Sequence, residues 1–343
     1  MKAIVIHAAK DLRVEDRDSE AAGPDQVEIA LEAGGICGSD LHYFNHGGFG
    51  TVRLKEPMIL GHEVAGRITA LGSSVSGLAV GDRVAISPSR PCNSCHYCLK
   101  GQQNQCLNMR FYGSAMPFPH IQGAFRQHLV AESWQCHKVA DGVSIHEAAM
   151  AEPFAVTLHA VNRAGGLLGK RVLVTGCGPI GALAIIAARA HGAREIVATD
   201  VMDGVLELAG KIGADRTINV ATDPEELSAY GTNKGSFDVM FEASGNERAV
   251  RSGLEVLAPR GILMQLGLGG DIAIPQNMVV AKEIEIRGTF RFHEEFGLAV
   301  DLINKARVNL KPLLTGVYDL KDAVEAFEIA GDRSRSMKVQ IAF

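Results

Sequence analysis

From Lys170 onward, short apolar runs alternate with longer segments of helical character. Val172 to Thr175 reads as a buried strand, a glycine-rich turn follows, and an Ala-rich helix continues to His191. The pattern then predicts a strand from Ile196 to Thr199, a helix around Met202 to Ile212, and strands at Thr217 to Val220 and Phe237 to Glu242. A helix from Glu247 to Leu257 and strands at Ile262 to Leu266 and Ile284 to Thr289 complete the series. Strands and helices in alternation imply an α/β fold with a doubly wound parallel sheet of the Rossmann kind.

The turn after the first of these strands is Gly176-Cys177-Gly178-Pro179-Ile180-Gly181. A bare GxGxxG is a weak signal, but here it follows a strand, opens a helix and is trailed by Asp200, the context a dinucleotide site requires. Gly176, Gly178 and Gly181 let the backbone approach a pyrophosphate, whose charge meets the helix amino terminus. Asp200 is placed to bind the adenosine ribose hydroxyls. An extra 2′-phosphate would need a cation, and VMDGVLEL after Asp200 offers none, so NAD is expected over NADP. Read blandly, Asp200 is a helix cap, which removes the cofactor preference and leaves the fold.

Composition sets outer bounds. A chain of 343 residues predicts about two domains, and 47% hydrophobic with 21% charged residues describes a globular protein. The net charge of −5 argues against nucleic acid and anionic membrane surfaces as partners. Val172 to Ala188, the longest uncharged stretch, has 17 residues and a glycine turn, too short and interrupted for a membrane span. The first residues, MKAIVIHAAKDLRVED, lack a secretory h-region, which makes the cytoplasm the expected compartment.

Four of the seven cysteines, Cys92, Cys95, Cys98 and Cys106, fall within 15 residues. In a reducing compartment such a cluster binds metal more readily than it pairs as disulfides. The spacing Cys-x2-Cys-x2-Cys-x7-Cys suits a tetrahedral structural zinc, with Gly101 and Asn104 permitting the turns. An iron–sulfur cluster is the competing occupant, though ferredoxin-type runs use other spacings. A DNA-reading zinc module is disfavoured, because Arg90, Lys100 and Arg110 are the only fixed cations between Ser87 and Arg110.

Upstream, GGICGSDLHYF and LGHEVAG supply Cys37, His62 and Glu63: one thiolate, one imidazole and one carboxylate. Each ligates zinc well, and three or fewer protein ligands leave a coordination position open for substrate. Singly, Cys37 reads as a buried small hydrophobe and His62 as a satisfied histidine at a strand end.

The run Gly61-His62-Glu63-x2-Gly66-x5-Gly72-x2-Val75, then VGDRV from Val80 to Val84, then the four-cysteine lobe, resembles the zinc-containing medium-chain alcohol and polyol dehydrogenases, over essentially the whole chain. The resemblance implies a catalytic zinc held by Cys37 and His62. Glu152, in AEPFAV, stands where ordinary members have a third cysteine ligand, as in the sorbitol dehydrogenase branch, so Glu63 and Glu152 are alternative carboxylate ligands. It also implies a second, structural zinc on the four lobe cysteines, a Ser39 and His42 proton relay, and Ile180, Leu266, Gly267, Leu268, Phe290 and Arg291 along the cofactor beside Pro179. Tyr43 and Arg291 would line the substrate site, with Phe292 where sorbitol-type members often have tyrosine.

The final strand, Met337 to Phe343, resembles a closing piece of a β-rich, GroES-like catalytic domain. That domain is then split as 1–153 and 290–343, with a zinc lobe at 87–110, around a cofactor domain at 154–289, and the active site is expected in the cleft between them. The resemblance implies a homo-oligomer, more often a tetramer than a dimer in this branch. The expected substrate is a sugar acid or polyol. A sugar acid's carboxylate calls for a cation, and Arg110 and His120 are candidates, each equally readable as a lobe residue. Rival readings are a sorbitol, xylitol or L-threonine dehydrogenase on the same machinery, or a zinc- and NAD-binding protein without catalysis. An unactivated alcohol costs about 12 kcal/mol to deprotonate at pH 7, the barrier a catalytic zinc would lower.

Overall fold

The structure is a computed structural model describing residues 1–343, in which the chain forms two compact units. The first comprises Met1–Glu152 with Phe296–Phe343, the second Pro153–Glu295.

In the first unit the strand Gln26–Gly35 is the hub. Its alternate residues Val27, Ile29, Leu31 and Ala33 are buried, the period-two pattern of a strand with one face on a core. It pairs antiparallel with Glu63–Leu71, His128–Glu132 and Lys338–Ala342. The sheet extends through Arg83–Ile86 to Cys136–Lys138 on one side and to Leu314–Asp319 on the other. Ile29, Val64, Ile68, Val84, Ile86, Phe125 and Phe327 pack together, each burial stabilising the unit by about 1.5–3 kcal/mol relative to exposure.

Register at the hub's carboxyl end matters for chemistry. Gly35 lies opposite both Glu63 and Gln340, so the strand Glu63–Leu71 and the chain's last strand flank the hub where it ends. A Cβ at Gly35 would collide with the Glu63 carboxylate, so only glycine lets that side chain lie across the strand end.

The second unit holds a six-stranded parallel sheet ordered Arg216–Asn219, Glu195–Asp200, Arg171–Thr175, Phe237–Glu242, Leu257–Gln265, Glu285–Gly288. The order reverses direction between Arg171–Thr175 and Phe237–Glu242, the switch point at which open α/β sheets bind ligands. Leu173, Val197, Phe237, Met240, Val250, Leu254 and Leu263 form its core. After Gly288 the chain stays tied to this unit, through Thr289 N–H to Gln265 O and through Glu295, which accepts from His159 Nδ1 and Asn162 Nδ2 at 3.0 Å each.

Candidate active site

Cys37 ends the hub strand's exit and caps the helix Gly38–His46. Its backbone N–H donates to Asp40 Oδ2 at 3.0 Å while its thiol faces the N–H of Asp40, a reciprocal cap that fixes the sulfur's direction. Asp40 is wholly buried and also accepts the Gly61 N–H at 3.1 Å through Oδ1, which lies 3.9 Å from His62 Nδ1. One carboxylate thus locks the Cys37 helix to the loop carrying His62.

One ligand atom each from Cys37, His62 and Glu63 lies within 4.8 Å of the others. His62 is 5% exposed and its Nδ1 has no hydrogen-bond partner. A buried imidazole nitrogen is not left without a partner cheaply, so this donor set fits a metal ion. Electrostatics agree. Burial, and then Glu63, push the Cys37 thiol up to about 11. Burial raises the Glu152 carboxyl to about 8, reinforced by Glu63 and Cys37 against His62 and Lys338. Lys338 Nζ contacts Glu63 Oε1 at 2.6 Å and Ile36 O at 2.9 Å, and burial's downward pull on it is outweighed by Glu63, Cys37 and Glu152. One lysine cannot offset this many buried acids; a dication beside them would.

On the same helix Ser39 is half-buried and His42 exposed, three residues apart and so on one face. Partial burial of the otherwise exposed ring, with His46 adding, holds His42 below its usual range and so favours the neutral imidazole.

The four lobe thiols make a different constellation. All are unpaired as disulfides, with sulfur separations of 3.5 Å for Cys95–Cys98, 3.5 Å for Cys92–Cys106 and 4.0 Å for Cys95–Cys106. Zinc–sulfur bonds of about 2.3 Å place tetrahedral sulfurs about 3.8 Å apart, so the cage already has zinc dimensions. Gly101, at φ +74°, turns the chain after Cys98–Lys100. N–H groups of Cys92, Cys95 and Asn108 donate to the sulfurs at 3.2–3.3 Å. The Ser94 N–H, with the Ser94 and Asn108 side chains, pulls Cys92 down to about 5, whereas burial pushes Cys98 up to about 12.

In the second unit Gly176 has φ +83°, and a Cβ at Gly181 would collide with Gly176 O, so both fingerprint glycines are required sterically. Gly178 caps the helix Pro179–Ala190 and its Cβ direction is open. Asp200 accepts from Cys177 N–H at 2.8 Å and from Val201 N–H at 2.7 Å, which ties the acid to the glycine loop it follows. These features fit a dinucleotide.

The family model described as the alcohol dehydrogenase GroES-like domain matches residues 23–141, and the zinc-binding dehydrogenase model matches residues 179–305. The chain is 43% identical to the L-idonate 5-dehydrogenase (NAD(P)(+)) of Escherichia coli K12, over 92% of this chain and 91% of that one. The chain belongs to the zinc-binding alcohol dehydrogenases. Chicken (Gallus gallus) sorbitol dehydrogenase is 35% identical over 99% of this dehydrogenase and 95% of its own length. The crystal structure of E. coli L-idonate 5-dehydrogenase superposes with a TM-score of 0.96 at 40% identity, covering 100% of this chain and 98% of that one.

The dehydrogenase places other anticipated residues less uniformly. Gly267 cannot accept a Cβ without striking Gly245 N. Leu268 is 84% exposed and Phe290 44%, with Arg291 stacked on Phe290 at 4.9 Å and held at φ +54°. Leu266 and Ile180 are half-buried. Tyr43 lies in the first unit's core, 2% exposed, its hydroxyl accepting the Ala115 N–H at 3.0 Å; Phe292 is fully buried. Both ring nitrogens of His120 are engaged, Nδ1 with Pro117 O and Nε2 with the Lys55 N–H, which leaves it no N–H for an anion. Arg110 is exposed in a two-stranded ribbon opposite Arg90 and forms no ion pair.

Asp40 and Lys338 escaped the sequence reading. Asp40 had a signal, an acid three residues after Cys37 at a helix start. Lys338 had a faint one, a lone cation between the apolar Met337 and Val339 in the last strand.

Proposed function

We propose that this dehydrogenase interconverts L-idonate and 5-keto-D-gluconate, with NAD preferred to NADP. The carrying observation is the Cys37, His62 and Glu63 cluster, with a buried and unpartnered His62 nitrogen, in a chain 43% identical to an L-idonate 5-dehydrogenase. GGICGSDLHYF, SPSRPCNSCHYC, NQCLNMRFYGSAMPFPHIQGAF and GTFRF carry the resemblance to that enzyme within the polyol branch. The relative's name includes both nicotinamide dinucleotides. Asp200 and the lack of a cation in the eight residues after it favour NAD here.

Cys37 and His62 hold the catalytic zinc, with Glu63 or Glu152 as the carboxylate ligand, and Cys92, Cys95, Cys98 and Cys106 hold the structural one. When bound, zinc acidifies a substrate hydroxyl and the dinucleotide accepts hydride. Ser39 receives the hydroxyl proton, and His42, whose neutral form is favoured, carries it toward solvent. Asp40 orients the Cys37 and His62 arms. Arg110 is the cation we assign to the substrate carboxylate, since His120 is engaged elsewhere. The protein works as a cytoplasmic homo-oligomer, a tetramer or a dimer.

Purified protein assayed for NADH formation across L-idonate, sorbitol, xylitol and L-threonine, with zinc measured on the same sample, tests this reading. Highest kcat/KM on L-idonate and two zincs per chain support it. A polyol or threonine winning moves the substrate, and one zinc without turnover makes it a binding protein. Arg110→Ala should raise KM for L-idonate at least fivefold more than for sorbitol; equal effects make Arg110 a lobe residue.

A further inference from the structure

Glu242 ends the strand Phe237–Glu242 at the switch point of the parallel sheet and is 0% exposed. No lysine, arginine or histidine pairs with it, and burying a carboxylate that way is costly unless donors surround it. They do. Oε1 accepts the Ser244 N–H at 2.9 Å, the Ser244 hydroxyl, and the Thr175 hydroxyl at 3.4 Å. Oε2 accepts the Gly245 N–H at 3.0 Å and Gln265 Nε2 at 2.6 Å.

Those donors come from the ends of three adjacent strands and the loops that leave them. Gln265 Nε2 also donates to Gly267 O, and the Gly267 N–H donates to Glu242 O. Ser244 backs onto Gly176, the first fingerprint glycine, so closely that a Cβ there would strike Ser244 N. Cβ atoms at Gly245 and Gly269 would each strike the other loop's backbone. The loops 176–178, 243–246 and 266–269 are therefore locked together with Glu242 beneath them. A side chain needed only to fill this volume would have no need of a charge.

We infer that Glu242 is the positioning residue of the dinucleotide bed: its carboxylate fixes the three loops against which the dinucleotide lies. This rests on the dinucleotide reading above and assigns a role to a residue outside the fingerprint. Replacing one carboxylate oxygen by an NH2 group sets donor against donor at Gly245 or Gln265 and frees the loops, while the zinc-bearing unit contains none of the bonds lost.

The test is Glu242→Gln in the full-length zinc-loaded enzyme, titrated with NADH by nucleotide fluorescence, with zinc content and both KM values measured. A ten- to hundredfold weaker NADH Kd and a matching rise in KM for NAD, with two zincs and an alcohol KM within twofold, are expected. Adding Gln265→Glu gives the introduced amide a carboxylate to donate to but leaves Gly267 O without its donor, so it should not restore the parent NADH Kd. An NADH Kd within twofold of the parent overturns the inference, as does an equal rise in both KM values, which would mean general loosening. Should the variant not fold, Ser244→Ala decides by the same titration, with two- to fivefold weakening expected and no change overturning. A parent that binds neither NADH nor NADPH overturns the dinucleotide reading itself.

Discussion

The two cysteine-bearing clusters of the first unit differ in nearly every property that decides what a metal can do. The lobe gathers four identical soft donors from 15 consecutive residues, near the surface, with sulfurs 3.5–4.0 Å apart. The other draws a thiol, an imidazole and a carboxylate from Cys37, His62 and Glu63, with Glu152 and Lys338 interacting electrostatically; all but the half-buried Cys37 are buried. Four like thiolates complete a coordination sphere and leave nothing for a substrate. A mixed set with fewer ligands keeps a position open, at the cost of burying unlike charges that only the whole fold can hold together. Local sequence suffices for a clamp, whereas a reactive site needs distant residues.

His62→Ala should separate them most sharply. It removes a ligand from the mixed cluster only, so zinc should fall from two to one per chain and kcat/KM by roughly 10⁴-fold or more, with the fold retained. Metal analysis beside the NADH assay checks both; two retained zincs would mean His62 is not a ligand. Ser39→Ala probes the same cluster without touching its donors. We expect a loss of about 10²–10³-fold in kcat with two zincs kept, and near-normal turnover would remove Ser39 from the proton path.

Cys95→Ser reverses the contrast. The lobe zinc should be lost and Tm should fall by about 5–10 °C, while kcat of the folded protein stays within about threefold. Loss of turnover at unchanged Tm would mean that the lobe does chemistry.

The same contrast explains what could be read from the sequence. The lobe was legible because its four thiols are spaced within one loop, and the Rossmann half because strand, glycine turn, helix and Asp200 follow one another locally. Cys37, His62 and Glu63 were visible as donors, but their convergence depends on Gly35 lying opposite Glu63 in a sheet register no local pattern encodes. Lys338 reaches Glu63 across 275 positions of chain. Short helices such as Pro224–Ser228 and Gln276–Lys282 left too little periodicity to detect. Glu242 looked like any strand-end acid, since its donors lie on loops that only the parallel sheet brings together.

The smallest expected effect separates the clusters by sign. In metal-free protein Glu152 sits near 8 against 4.5 in the unfolded chain, so between those values the folded state holds a proton the unfolded state has released. Stability from this group therefore falls as pH rises from about 5 to 8, by at most about 1.4 kcal/mol per unit. Cys92 sits near 5 against 9.0 unfolded, so over the same window the unfolded state holds the extra proton and stability from the lobe rises with pH. Urea midpoints at pH 5.5 and 8 on chelator-treated protein should show Glu152→Gln tilting the pH dependence upward and Cys92→Ser tilting it downward. With zinc restored, the Glu152 tilt should vanish if the metal holds that carboxylate as an anion, whereas the Cys92 tilt should persist, because the unfolded thiol keeps its proton throughout this window. Variants tilting the metal-free profile the same way would mean that the clusters do not differ in the way their donors imply.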